Sequence, residues 1–248
     1  MTPYYDEGAI RLYQGDCRAV LPSLAADSVD LVLTDPPYGH NNNTDDLIGR
    51  WEAALGKGVS GPPRPIFNDG EEANELIRWS FLEWRRLLKA GRCCCCCCSG
   101  GGPDPQFARW SIWMGEVFDF KQMVVWDKGP MGMGWHYRRS YETILVGQKP
   151  GAPCQWCDTT RRVENIVRDI PRIIPSSADH PTEKPIALMS RFICWHTMPG
   201  QLVVDPFCGH GTTLEAAKLL GRRAIGIEID EAYCEAAARR LAQGVLPF

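Results

Sequence analysis

No stretch of this 248-residue chain approaches the roughly 18 consecutive apolar residues of a membrane-spanning helix, which excludes a helical membrane protein. Basic excess is missing too. Lys and Arg number 27 against 30 Asp and Glu, net -3, so any contact with a polyanion has to come from a local patch. Histidine is scarce at five, and His40, His136 and His196 have no spacing that suggests a metal site or a catalytic triad. Residues 1–8 lack the basic start and apolar core of an export signal, so the expected location is cytoplasmic. Neither an internal repeat nor a linker long enough to separate domains is evident. A single domain over 1–248 is expected, its 44% hydrophobic content sufficient for one α/β core.

Cysteine, at 12, is abundant, yet the arrangement of a disulfide framework is absent. Six are consecutive, 93–98, and neighbours on one strand point to alternate faces, so they cannot pair locally without distortion. They follow Leu87, Leu88, Lys89, Ala90 and Gly91, read as a helix closing on a glycine, and predict a buried central strand of small apolar side chains in a reducing compartment. Adjacent strand residues splay away from a common ion, and Cys154-Gln155-Trp156-Cys157 lacks a second Cys-x-x-Cys pair, so no metal is assigned.

Among the features present, Asp35-Pro36-Pro37-Tyr38 after the apolar run 29–34 carries the most chemistry. Two prolines fix φ and remove two donors, leaving a turn that presents acceptors: the Asp35 carboxylate and the adjacent carbonyls. An exocyclic amine has two hydrogens for such acceptors, and Tyr38 offers a ring on which an extruded base can stack.

A second motif lies near the other end. Leu202-Val203-Val204 runs into Asp205-Pro206-Phe207-Cys208-Gly209-His210-Gly211-Thr212-Thr213 and an apolar helix, a strand, glycine turn and helix in succession. About 15 residues beyond Gly211 another apolar strand ends in Glu228, where an acid meets ribose hydroxyls in nucleotide-binding βαβ units. The turn lacks the third glycine of a dinucleotide fingerprint and begins with an acid that would repel a pyrophosphate, which disfavours a nicotinamide oxidoreductase. S-adenosylmethionine fits better: an adenosine, two cationic centres and no phosphate. Asp205 and Glu228 are both expected at strand ends facing that ligand.

Together these residues resemble the beta group of DNA amino-methyltransferases, in which the target-base motif precedes the cofactor motif. The resemblance also takes in Gly15-Asp16-Cys17 before the first helix and His180-Pro181-Thr182-Glu183-Lys184-Pro185 before a later one. It implies a doubly wound Rossmann-like sheet, mostly parallel with an antiparallel hairpin, and helices on both faces. It implies S-adenosylmethionine held by Asp16, Cys17, Asp35, His180, Thr182, Lys184, Asp205, Phe207, Gly209, Gly211, Thr212, Thr213 and Glu228. Within that set Asp16 lies near the adenine, residues 180–185 near the methionine carboxylate, and Glu228 on the ribose. It implies catalysis by Asp35, Pro36, Pro37 and Tyr38 on a flipped-out base in DNA, by a monomer or homodimer, in a restriction-modification system or alone. An Asp at position 35 points to adenine N6. N4-cytosine is the alternative, and an inactive DNA-binding module the reading from another class.

The remaining sequence reads as alternating elements: a short helix broken near Pro22, a polar loop 40–68, and a helix whose face is Ala73, Leu76, Ile77, Ser80, Trp84, Leu87 and Leu88. A helix over 103–117 with Trp110 and Trp113 in the core follows, and a hairpin of strands 123–126 and 141–148. Candidate DNA-contacting insertions are 39–70 and 128–178. The second holds eight basic against four acidic residues in an otherwise acidic chain, which nominates Lys128, Arg138, Arg139, Arg161, Arg162 and Arg168 as phosphate contacts.

Overall fold

The structure, a computed structural model, describes residues 1–39, 69–70, 72–98, 106–129, 136, 138–172 and 183–243. The loop 40–68, together with His180 and Thr182, lies outside the described residues. The strands are β1 (Tyr5–Glu7), β2 (Ile10–Gln14), β3 (Val29–Thr34), β4 (Leu88–Cys98), β5 (Asp119–Asp127), β6 (Tyr141–Gln148), β7 (Ile166–Val167), β8 (Leu202–Asp205) and β9 (Arg223–Glu228). The helices are α1 (Cys17–Val20), α2 (Glu72–Leu87), α3 (Gln106–Val117), α4 (Ile186–His196), α5 (Thr212–Leu219) and α6 (Glu231–Ala242), with one 3-10 turn at Leu21–Ser23.

All nine strands join one sheet in the order β1-β2-β9-β8-β3-β4-β6-β5-β7. The block β2-β9-β8-β3-β4 is parallel, and β6 runs antiparallel to both β4 and β5. The expected hairpin is there, longer than its apolar stretch: Asp127 pairs with Tyr141 and Asp119 with Gln148. A further antiparallel strand, β1, edges the other side against β2.

The cysteine run is the central strand that the sequence predicts. Cys93, Cys95 and Cys97 enter the core beneath α4, α5 and α6; Cys94, Cys96 and Cys98 enter the core beneath α1, α2 and α3. None is more than 2% exposed. Small side chains suit a strand covered on both faces, and the period of two distributes them evenly.

Two details differ from the sequence reading. The helix stops at Leu87, and Leu88 already pairs with Val29 in the sheet. Gly91 is therefore no helix cap but a strand residue with φ +77, where a Cβ would stand 2.3 Å from the Pro153 carbonyl oxygen. Close backbone approach explains the glycine. Trp113 is only half-buried, with the Arg78 and Arg109 guanidiniums each 5.8 Å from its ring centroid, whereas Trp110 is fully buried. On α2, Leu76, Ile77, Phe81 and Trp84 are at most 3% exposed, each contributing about 1.5–3 kcal/mol by burial.

Candidate active site

β3 and β8 are neighbours, and the chain leaves them toward opposite edges, from β3 to β4 and from β8 to β9. At such a switch point the carboxyl ends of the strands open a crevice. Asp35 follows β3, and Asp205 ends β8. Thr34 Oγ1 donates to Asp205 Oδ1 at 2.6 Å and joins the two motifs directly. Phe207 N–H donates to the same oxygen at 3.1 Å. Asp205 is only 3% exposed, and burial pushes its pKa up to about 6 against the Thr213 and Thr34 hydroxyls. Its carboxylate, expected to face the ligand, takes the donors nearest to it, Thr34 from β3 and Phe207 and Thr213 from the turn and helix that follow β8.

The glycine turn owes its shape to two left-handed residues, Gly209 at φ +50 and Gly211 at φ +80. Gly211 caps α5, and a Cβ there would come within 3.0 Å of the Ala237 side chain. Glu228 reaches back to this turn. Its Oε2 accepts from Gly209 N–H at 2.9 Å and its Oε1 from Asp230 N–H at 2.8 Å. Burial pushes the Glu228 pKa up to about 7. β2 pairs Gln14 with Glu228, and Gly15 N–H donates to the Glu228 carbonyl at 2.8 Å, which brings Asp16 to a neighbouring strand end. Asp16 caps α1 and accepts from Arg18 N–H at 2.8 Å; hydrogen bonds from the Arg18 guanidinium hold its carboxyl below the usual range. The Cys17 thiol is buried and pushed up to about 12 by that burial.

Arg240 of α6 binds this region together, a role no sequence motif announces. It donates to Glu183 Oε1 at 2.6 Å and Thr212 Oγ1 at 3.1 Å, and Thr212 donates to the same Glu183 oxygen at 3.1 Å. The segment before α4 is thus held onto the first turn of α5. The groups present suit an adenosine with a cationic tail: acids at the ends of β2 and β9, and the positive N-terminal end of α5 for a carboxylate.

Asp35 sits at the centre of an ionic cluster. Lys184 Nζ lies 2.5 Å from Asp35 Oδ2 and 3.1 Å from a Glu142 oxygen, and Lys128 Nζ lies 2.9 Å from the other Glu142 oxygen. The Tyr38 hydroxyl donates to Asp35 Oδ1. Burial pushes Asp35 up while the Lys184 ammonium pulls it back. Burial alone would lower Lys184, but Asp35 and Glu142 raise it above an ordinary lysine. Lys184, placed by resemblance near the methionine carboxylate, therefore has its ammonium on the target-base motif. Tyr38 turns its ring toward Trp110, 6.3 Å between centroids, and its carbonyl accepts from Gln106 Nε2 at 2.5 Å. Beyond it, Gly39 N–H donates to the buried Asp69 at 2.7 Å. Gln106, Asp69 and Glu142 all escape sequence reasoning; the one trace of them is a charge, Glu142, at the start of an apolar strand.

The basic candidates do not form one group. Lys128 is engaged by Glu142, and Arg168 by Glu164 at 2.8 Å. Arg138 and Arg139 lead into β6 at the end of the sheet where Asp35 stands. Arg161 and Arg162 follow Cys157, whose N–H donates to the Trp195 carbonyl near the C-terminal end of α4.

Comparison with known proteins agrees with this geometry. The DNA methylase profile for N6 and N4 enzymes matches residues 29–239. The DNA adenine methyltransferase YhdJ of Escherichia coli K12 is 30% identical over 265 residues, which cover 93% of this chain and 82% of that protein. The structure of TTHA0409 from Thermus thermophilus, complexed with S-adenosyl-L-methionine, superposes with a TM-score of 0.67 at 28% identity, covering 96% of each chain. The PvuII cytosine-N4-specific DNA methyltransferase shares the fold, with a TM-score of 0.72 at 20% identity over 99% of this chain and 90% of its own. With the profile spanning most of its length, the chain belongs to the N6/N4 DNA methylase family, the beta group of DNA amino-methyltransferases.

Proposed function

We propose that this DNA methyltransferase acts site-specifically on adenine N6, on a base flipped out of the duplex. The observation that carries the reading is the Asp35 carboxylate at the end of β3, joined through Thr34 and Asp205 to the glycine turn of β8. The cofactor is S-adenosylmethionine, which supplies an electrophilic methyl group when bound. Glu228 and Asp16 would hold its adenosine, and the turn from Phe207 through Gly209 and Gly211 to Thr212 and Thr213 its amino-acid end.

Asp35 and the Pro36 carbonyl would accept the two N–H bonds of the target amine, while Pro37 keeps the turn rigid and Tyr38 faces the base. Withdrawing the amine hydrogens from the ring plane frees the nitrogen lone pair. Positioning then dominates the rate. Asp35 is cast as an acceptor, with proton loss after transfer: burial raises its pKa, and the Lys184 ammonium beside it opposes that rise. Extruding the base costs a few kcal/mol, offset by stacking and phosphate contacts. Adenine is favoured over cytosine by the Asp at position 35 and by the similarity to YhdJ.

Incubation of DNA with the protein and S-adenosylmethionine, followed by nucleoside mass spectrometry, should yield N6-methyladenine. N4-methylcytosine would overturn the base assignment. A protein that binds cofactor and DNA without methylating would be the inactive module. Asp35→Ala should lose methylation and keep cofactor binding by calorimetry, and a variant retaining more than about a tenth of the turnover would remove the acceptor role.

A further inference from the structure

The Asp35 carboxylate that the target amine must reach is already engaged on both oxygens, Oδ1 by the Tyr38 hydroxyl and Oδ2 by the Lys184 ammonium. A carboxylate has about four lone-pair sites, so an amine can join, and it meets the stronger acceptor when the ammonium leans away from Asp35. Lys184 is 6% exposed, and a buried ammonium does not leave one carboxylate unless another receives it. Glu142 stands on its other side, 3.1 Å away.

Glu142 is fixed where a side chain moves least. It lies near the start of β6, opposite Trp126, and the next residue, Thr143, pairs with Cys98 of the central strand. Lys128, at the end of β5, engages its second oxygen at 2.9 Å. Two acids and two ammoniums alternate, Asp35, Lys184, Glu142 and Lys128, so the cluster is neutral as a whole. Lys184 and Lys128 hold the Glu142 carboxyl below the usual range against its burial, which keeps it an anion able to take an ammonium.

Building on the methyl-transfer reading above, we propose that Glu142 is a positioning residue for that reaction: it receives the Lys184 ammonium when the target amine claims Asp35, and Lys128 keeps it charged for that task. The role is exerted through Lys184, and Glu142 itself touches no substrate.

The charges around Asp35 give the proposal a signature that a packing role lacks. Asp35 is faced by Lys184 from the segment before α4, Glu142 from β6, Tyr38 from its own turn, Asp205 from β8 and the Cys96, Cys97 and Cys98 thiols from β4. Removing the Glu142 charge removes an anion and lowers the Asp35 pKa, so the acid limb of the kcat profile should move to lower pH in Glu142→Gln. Removing the Lys128 charge loosens the hold on the Glu142 anion, so Lys128→Met should move the limb the same way and by less.

The test is steady-state methylation over pH 5 to 9 at saturating DNA. Glu142→Gln should lower kcat about tenfold, the loss of one charge-assisted contact, while KM for S-adenosylmethionine stays within about twofold. Glu142→Asp, which keeps the charge, should restore the position of the acid limb. Wild-type kcat and an unmoved limb in Glu142→Gln, or limbs moving in opposite directions in Glu142→Gln and Lys128→Met, would overturn the positioning role. Asp35→Ala is run alongside: if it is inactive while Glu142→Gln is normal, only this inference falls, and if it turns over, the acceptor reading itself falls.

Discussion

Glu228 shows how one side chain can both hold a turn and await a ligand. Its two oxygens accept the Gly209 and Asp230 N–H groups, and burial moves its pKa from an ordinary 4.5 to about 7. The folded apoprotein therefore binds more protons than the unfolded chain between those values, and its stability falls as pH rises through that window. Ribose hydroxyls donate, and donation favours the ionised carboxylate. Cofactor affinity should accordingly rise with pH between about 6 and 8 and then level. Calorimetry across that range checks this. Glu228→Gln should bind about tenfold to a hundredfold more weakly and lose the pH trend, the equivalent of one charge-assisted hydrogen bond. Asp205 accepts from Thr34, Thr213 and Phe207 and so braces the turn that Glu228 also grips.

At the scale of elements, β4 decides what the cysteines do. Within the strand the thiols are buried, and burial pushes Cys94 and Cys98 up to about 12, while Cys93 is raised first by its contact with Cys154 and then by burial, which makes them inert packing groups. Cys154 differs. It is exposed, its sulfur lies 3.6 Å from that of Cys93, and the hydrogen bond from the Cys93 thiol brings its pKa down to about 7, helped by Lys121 and Arg92. Iodoacetamide at pH 7.5 should therefore alkylate Cys154 before the exposed Cys194 and long before any strand cysteine. Peptide mass mapping reads the order, and Cys154→Ser should remove the fast phase with methylation intact. Equal labelling of Cys154 and Cys194 would show that the Cys93 contact does not activate it. The splayed cysteine strand should hold no metal, and elemental analysis with no stoichiometric zinc is the expected result.

For the molecule as a whole, the sheet has a working end and a far end. The working end carries Asp35, Asp205 and Glu228, and Arg138 and Arg139 approach it through β6. The far end carries the segment after β6, where Gln155 N–H donates to the Gly91 carbonyl and Cys157 is tied to Trp195. DNA presented to Asp35 should meet the first arginine pair. Replacing Arg138 and Arg139 by Ala should weaken binding across sequences and lower the slope of log K against log salt by up to about two units, about 0.9 for each phosphate contact. Cofactor affinity should not change. Replacing Arg161 and Arg162 should do much less, and an equal loss from both pairs would mean that DNA wraps the far end as well. Fluorescence anisotropy over a salt series distinguishes them.

Local rules made much of this legible without coordinates. Two prolines after an apolar strand, glycines before a helix and an acid ending the next strand each describe a few consecutive residues, and each stands at a strand end in the fold. The cysteine run reads as a strand because a period of two is written into it, and the hairpin because two apolar runs flank a glycine-rich turn. What lay beyond reach was the pairing of residues far apart in the chain. Nothing near Glu142 says that it will stand beside Lys184, nor near Arg240 that it will grip Glu183, because sheet order and helix packing bring these partners together. The same holds for surroundings: the sequence places Asp205 and Glu228 at strand ends, but the donors around each carboxylate are supplied by the fold, which buries Asp205 more deeply than Glu228. Chain order fixed which chemistry is present at this site; the close packing of a nine-stranded sheet decided which of those groups reach the crevice and in what charge state.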